Sequence, residues 1–140
     1  MKVLAIAVCV VFVALALWHF RMAAAPGRGM GGVVPSVEGK PLFVPSIQAT
    51  VGVGIALLSF AALVAATAGL LPVPLPRVAL VWLSYGLALG LLGRAVGEFK
   101  YVGFFKRVRG SRFATLDTLI YSPMCLLMAV GVALVAHKAS

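Results

Sequence analysis

Four stretches of this chain are too long and too apolar to be hidden from water inside a body of this size. The first, VLAIAVCVVFVALALWHF, runs from Val3 to Phe20 without a lysine, an arginine or an acid, and Arg21 closes it. A helix that crosses the hydrocarbon layer needs about 20 apolar residues, each adding 1.5 Å. The second run, Ile47 to Leu71, is rich in alanine and glycine. The prolines of PVPLP (Pro72 to Pro76) are expected to stop it, because proline cannot continue a helix. The third begins near Val78 and is free of charge only as far as Gly93. Those residues give a rise of about 24 Å, too little to span alone. The helix is therefore expected to continue through Arg94 to about Phe99. The fourth is uncharged from Thr118 to Ala136 and is expected to begin near Ala114.

Composition leads to the same class. The chain has 140 residues, 63% of them hydrophobic and 11% charged, with a mean hydropathy of +1.13. Small folds leave a large share of their surface in water, so a soluble domain of this length has nowhere to put so much apolar area. The expected architecture is all-α: one integral membrane domain over residues 1–140, with four transmembrane helices at about 3–20, 47–71, 78–99 and 114–136. The start of the chain also has the outline of a cleaved secretory leader, in Lys2, an apolar stretch and Ala23-Ala24-Ala25. Trp-His-Phe-Arg interrupts the approach to that cut and Pro26 would follow it, so a retained helix is expected.

The net charge of +9 raises nucleic acid as a partner in a soluble protein. Here the bases stand between apolar runs, where they meet the bilayer and its anionic headgroups, and no nucleic acid is expected. Cys9 and Cys125 sit inside apolar runs, and the sequence has no C-x-x-C pair. They read as small buried residues, with neither a thiol redox pair nor a metal site indicated and no cofactor expected.

Four spans put both termini and the short turn after the second helix on one face, with Lys2, Arg77 and Lys138. The opposite face takes the two longer loops. One carries Arg21, Arg28 and Lys40, the other Lys100, Lys106, Arg107, Arg109 and Arg112. The excess of bases predicts cytoplasmic long loops and both termini outside, although Lys2 pulls the first helix the other way. In the first loop, EGKPLFVPS (Glu38 to Ser46) holds two prolines that favour extended backbone before them. Leu42, Phe43 and Val44 are expected to lie against helix ends. No internal repeat links the two helix pairs, so a repeat-built transporter is not signalled.

Within this frame a few residues carry potential chemistry. Gly86, Gly90, Gly93 and Gly97 form a smooth stripe on the third helix, suited to close helix packing. Packing inside the chain against the second helix is the first expectation, and homodimerisation the second. Arg94 lies more than a turn inside the Phe99 end, and a cation at that depth must snorkel or find an acid. Glu98 is one turn on, Asp117 opens the fourth helix, and Tyr121 follows Asp117 by one turn. His19 ends the first helix on the same side. His19, Arg94, Glu98, Asp117 and Tyr121 are thus expected at one level. The level reads first as an ion-pair lock on the helix ends and second as a binding or catalytic site. Ser84 and Tyr85 read as packing. Pro123, in YSPMC, should kink the fourth helix by freeing the carbonyl of Leu119, which Ser122 or a neighbouring helix can satisfy. Lys100, Lys106, Arg107, Arg109 and Arg112 read as lipid-headgroup contacts worth up to about 1 kcal/mol each. Phe104 and Phe105 are expected to dip into the interface beside them.

The segment RAVGEFKYVGFFKRVRGSRFATLDTLIYSPMCL, preceded by GKPLFVPS, resembles a bacterial family of short four-helix membrane proteins classed as a domain of unknown function. The resemblance covers about Leu17 to Met128. Its pattern is R-x-x-G-[DE]-F-K-Y-V-G-F-F-K, then F-A-x-x-D-x-x-x-Y-S-P-x-C. Glu98 and Met124 stand where aspartate and leucine are also usual, both conservative exchanges. The resemblance implies a four-helix integral fold in a bacterial inner membrane, and it brings no activity.

Three functions follow from this reading. The first is a non-enzymatic bundle that meets a membrane partner protein, a second copy of itself or anionic lipid. The second is a binder of, or enzyme on, a small lipophilic molecule, resembling in style the four- or five-helix sterol isomerases, with its polar site at the long-loop end of the third and fourth helices. It requires a lipid-sized cavity there. The third is a small oligomeric transporter. The small multidrug transporters resemble this chain in size, but they use an acid in the first helix, and here that helix has none.

Overall fold

The computed structural model describes residues 1–25, 33–38 and 40–140. Arg28 and Gly39 of the first long loop lie outside the described residues. Among the described residues, four helices are long and apolar enough to cross a membrane. They are α1 (Lys2–Ala24), α2 (Ile47–Thr67), α3 (Arg77–Val96) and a fourth span, Arg112–Ala139, made of three joined pieces. Those pieces are α4 (Arg112–Leu116), a π-helical turn (Asp117–Tyr121) and α5 (Ser122–Ala139). In the first long loop, β1 (Ser36–Val37) and β2 (Lys40–Pro41) form a minimal antiparallel ladder, Ser36 opposite Pro41 and Val37 opposite Lys40.

The helix ends follow local chemistry. Ser46 starts α2 by accepting the Ala49 N–H at 3.1 Å, an N-cap that pairs one of the orphan amides of a helix start. Its end comes earlier than the prolines require. Gly69 takes a φ of +69°, and the amides of Gly69 and Leu70 turn back to the carbonyls of Ala66 and Ala65. That is a Schellman closure, which a glycine favours. At the end of α3, Gly97 with φ +86° stops the helix at Val96. The expected continuation to Phe99 is corrected: α3 runs from Arg77 through Arg94 to Val96, and Glu98 falls outside the helix. Pro123 sits in the first turn of α5. The chain accommodates it with the wide turn at Asp117–Tyr121, in which the Ser122 amide reaches the Asp117 carbonyl. Ser122 does not cap a freed carbonyl, since its Oγ is buried without a hydrogen-bond partner among the described residues.

Packing pairs α1 with α2 and α3 with α5, while α2 and α3 meet much less. The core gathers Ala5, Val8, Phe12, Ala61, Val64 and Val132, among others. Phe12 meets the Phe60 ring edge to face, with centroids 5.8 Å apart. Thr67 ties α2 to α3 by a 2.9 Å hydroxyl bond to Ser84, which leaves Ser84 fully buried. Large apolar side chains such as Val3, Trp82, Leu89 and Leu127 point outward, each more than two thirds exposed. An outer surface of this kind suits a solvent of lipid chains.

Two expectations are corrected by this packing. The glycine stripe of α3 does not pack closely against α2: a Cβ at Gly86, Gly90 or Gly93 would meet nothing within 4 Å, and Gly86 and Gly90 line an open groove beside Phe60. The buried side of α3 is the Leu80, Val81, Ser84, Ala88 and Ala95 side. Close approach through a glycine occurs instead on α5, where a Cβ at Gly131 would stand 2.8 Å from Val8 Cγ2. Leu42, Phe43 and Val44 are exposed rather than laid against helix ends, because the β1–β2 ladder and the Leu42 amide bond to Pro35 carry the loop outward.

Candidate functional site at the return loop

The polar centre of the molecule is built around one carboxylate. Asp117 opens the π turn and has no exposed surface. Its Oδ1 accepts Arg94 Nη2 at 2.8 Å. Its Oδ2 accepts the Gly103 amide at 2.7 Å and Lys106 Nζ at 3.1 Å. The Lys106 ammonium uses its remaining donors on the Gly103 carbonyl, 2.9 Å, and Thr118 Oγ1, 2.6 Å. One acid thus sits between two cations, and every lysine proton has an acceptor. Removing a carboxylate and an ammonium from water is costly, and the full pairing of these two groups offsets it, while Arg94 Nη1 is buried without a hydrogen-bond partner among the described residues.

Backbone geometry delivers the loop to that carboxylate. Gly97 and Gly103, both with positive φ, press backbone against backbone. A Cβ on Gly97 would collide with the Val102 carbonyl, and one on Gly103 with the Val96 carbonyl. Only glycine serves at either position, for both the conformation and the space. The contact turns the chain back along the end of α3. The Phe104 amide bonds Ala95 O at 2.9 Å, Arg107 bonds Phe99 O at 3.2 Å, and Val108 bonds Lys100 O at 2.8 Å. Ser111 then caps α4 through the Ala114 amide, 3.0 Å, and the chain re-enters the bundle.

The sequence-predicted residues are distributed as follows. Arg94 and Asp117 meet directly. Glu98 does not join them: beyond the end of α3, its carboxylate accepts the Tyr101 amide at 2.6 Å and closes a turn. His19 lies near the end of a longer α1 than expected, and Nδ1 faces the Leu15 carbonyl of its own helix at 2.7 Å. Tyr121 packs its ring on Phe113, centroids 6.1 Å apart. Lys106 is a correction. Expected at the headgroups with its neighbours, it is withdrawn to 2% exposure because the turned-back loop aims its ammonium at Asp117. Gly97 is likewise a loop-closing residue and no part of a helix-packing stripe. Lys100, Arg107, Arg109 and Arg112 remain exposed, as do Phe99 and Phe105, whose rings lie 6.5 Å apart. Phe104 is half-buried. Lys100 also lies over the Tyr101 ring at 5.0 Å.

Sequence reasoning missed Gly103 and Lys106 as partners of Asp117, and Thr118 as an acceptor for Lys106. The one signal for the first two was their place in the K-Y-V-G-F-F-K pattern. The second function required a cavity at this level. The apolar groove between α2 and α3, about 920 Å³ and lined by Phe60, Trp82, Gly86 and Gly90 among others, does not reach Asp117. The carboxylate itself has no exposed surface, and both of its oxygens are engaged by Arg94, Gly103 and Lys106.

No curated protein and no solved structure matches this chain. A family model does match, over residues 12–132, and so takes in the second and third spans, most of the first and fourth, and the whole of the Asp117 centre. The chain belongs to the family described as Protein of unknown function (DUF3995).

Proposed function

We propose that this is a non-enzymatic multi-pass protein of a bacterial inner membrane whose return loop forms a fixed platform for anionic lipid headgroups. The observation that carries the reading is the pinning of the loop by Asp117 while Lys100, Arg107, Arg109 and Arg112 stay exposed beside Phe99 and Phe105. A surface of fixed cations flanked by exposed aromatic rings matches a headgroup layer, in which rings sink and charges meet phosphate. With Lys106 withdrawn, the bases of the long-loop face still outnumber Lys2, Arg77 and Lys138. That balance supports cytoplasmic long loops and outward termini.

The test is lipid selectivity of the full chain in nanodiscs holding phosphatidylglycerol and phosphatidylcholine in equal amounts. Native mass spectrometry of the released protein should find phosphatidylglycerol enriched. Changing Lys100, Arg107, Arg109 and Arg112 together to glutamine should reduce the enrichment several-fold, as should high salt, which screens exposed charge. Enrichment that ignores both changes would exclude the platform.

A second reading, association with another membrane chain, is favoured by the uncovered glycine face of α3 at Gly86, Gly90 and Gly93. Light scattering of the purified chain, compared with Gly90→Leu, tests it. A dimer that dissociates in the variant supports the reading, and a monomer in both excludes self-association.

A further inference from the structure

The end of the bundle opposite the return loop carries its own charged feature. Lys2 of α1, Arg77 of α3 and Lys138 of α5 converge around a pocket of about 80 Å³, closed on its inner side by Thr67 and Val135. All three cations are exposed. No acidic side chain lines the pocket, and the acids of the chain stand elsewhere, at Glu38, Glu98 and Asp117. Like charges gathered at one end repel one another, and a bound anion relieves that repulsion.

Arg77 sharpens the argument. It is the first residue of α3, where the N-cap Pro76 supplies no side-chain acceptor for the free amides. A helix start favours an anion, so a cation placed there is out of register with the dipole. Arg77 Nε donates to the Ala139 carbonyl at 2.6 Å, which anchors the guanidinium between α3 and the end of α5.

A second, apolar cleft of about 500 Å³ opens from the same two residues, Arg77 and Ala139. Val78, Val81, Trp82 and Tyr85 line it along α3. The Trp82 and Tyr85 rings stand edge to face, centroids 6.2 Å apart. Tryptophan and tyrosine settle at the level where headgroups give way to chains. A cationic pocket at the membrane end, continued by an apolar cleft along the helix, has the polarity profile of a phospholipid.

The geometry points to a phospholipid site, with the phosphate held by Lys2, Arg77 and Lys138 and an acyl chain along Val78, Val81, Trp82 and Tyr85. A free phosphate would satisfy the charges and leave the cleft without purpose. The site is independent of the return-loop platform, being at the other end of the molecule.

Trp82 reports on it directly. The chain has two tryptophans, so Trp18→Phe leaves Trp82 as the probe. The full chain in vesicles is exposed to small equal fractions of phosphatidylglycerol, phosphatidylcholine or diacylglycerol with brominated chains, which quench a tryptophan they touch. Brominated phosphatidylglycerol should quench most and diacylglycerol least. Lys2→Gln with Lys138→Gln leaves the Arg77 anchor intact and should lower the relative association of phosphatidylglycerol about fivefold for each cation, the factor equivalent to about 1 kcal/mol near the surface. Lys100→Gln with Arg107→Gln should leave it unchanged. Equal quenching by phosphatidylglycerol and diacylglycerol, or indifference to the Lys2 and Lys138 changes, overturns the site. Relief of quenching by excess inorganic phosphate supports the charged pocket. A phosphatidylglycerol preference abolished equally by neutralising the opposite end overturns it.

Discussion

Removing the Asp117 carboxylate strands two cations at once. Asp117→Ala is expected to cost about 3–5 kcal/mol, the usual range when one partner of a buried ion pair is deleted. Its two ion pairs are not equal. The Arg94 side chain is 36% exposed, so water screens that pair, while the Lys106 side chain is 1% exposed and has Asp117 to balance its charge. Thermal melts in detergent should therefore rank Asp117→Ala as most damaging, Lys106→Ala next and Arg94→Ala least. A double-mutant cycle of Lys106→Met and Asp117→Leu should give a coupling within about 0.5–3 kcal/mol, and additivity would show that the two are not partners. Gly103→Ala tests the backbone side of the same centre. It forces alanine to a φ of +91° and against the Val96 carbonyl, so a loss of more than about 1 kcal/mol is expected from the left-handed conformation alone. At this scale the sequence was partly readable. Arg94 and Asp117 declared themselves because a charge inside an apolar run needs a partner. Lys106 did not, because a lysine among other bases looks the same whether it faces water or turns inward. Its role depends on a fold-back set by Gly97 and Gly103, and nothing in its spacing encodes that.

Among the elements, the spans themselves were legible from apolar length, and their ends were less so. The α2 end at Gly69 is a glycine closure that precedes the prolines expected to stop that helix, and the α3 end at Gly97 is one that precedes the expected end at Phe99. The glycine stripe shows how periodicity places residues on a face without saying what that face meets. A direct comparison separates the two kinds of glycine. Gly90→Ala should leave the melting temperature unchanged or raise it, by up to about 1 kcal/mol of helix preference, since the added Cβ meets nothing. Gly131→Ala should lower it, because its Cβ meets Val8 at 2.8 Å. Equal effects at the two positions would mean that the α3 glycine face is covered in the membrane, as association with another chain requires.

For the whole molecule, two charged ends bracket an apolar bundle and are organised by opposite rules. At the end with Lys2, Arg77 and Lys138, no acidic side chain lines the pocket between the cations. The return-loop end withdraws one lysine to a buried acid and, by doing so, fixes the shape in which its other bases are presented. That pinning is the central claim, and amide hydrogen exchange of the full chain in nanodiscs tests it most directly. In the native chain the amides of Gly103, Phe104, Arg107 and Val108 should exchange slowly, held by Asp117, Ala95, Phe99 and Lys100. In Asp117→Asn all four should accelerate together while α1 and α2 keep their protection, because the loop opens locally with the bundle intact. Fast exchange at these four amides in the native chain, or no acceleration in the variant, would contradict the claim that one buried carboxylate holds the loop in place.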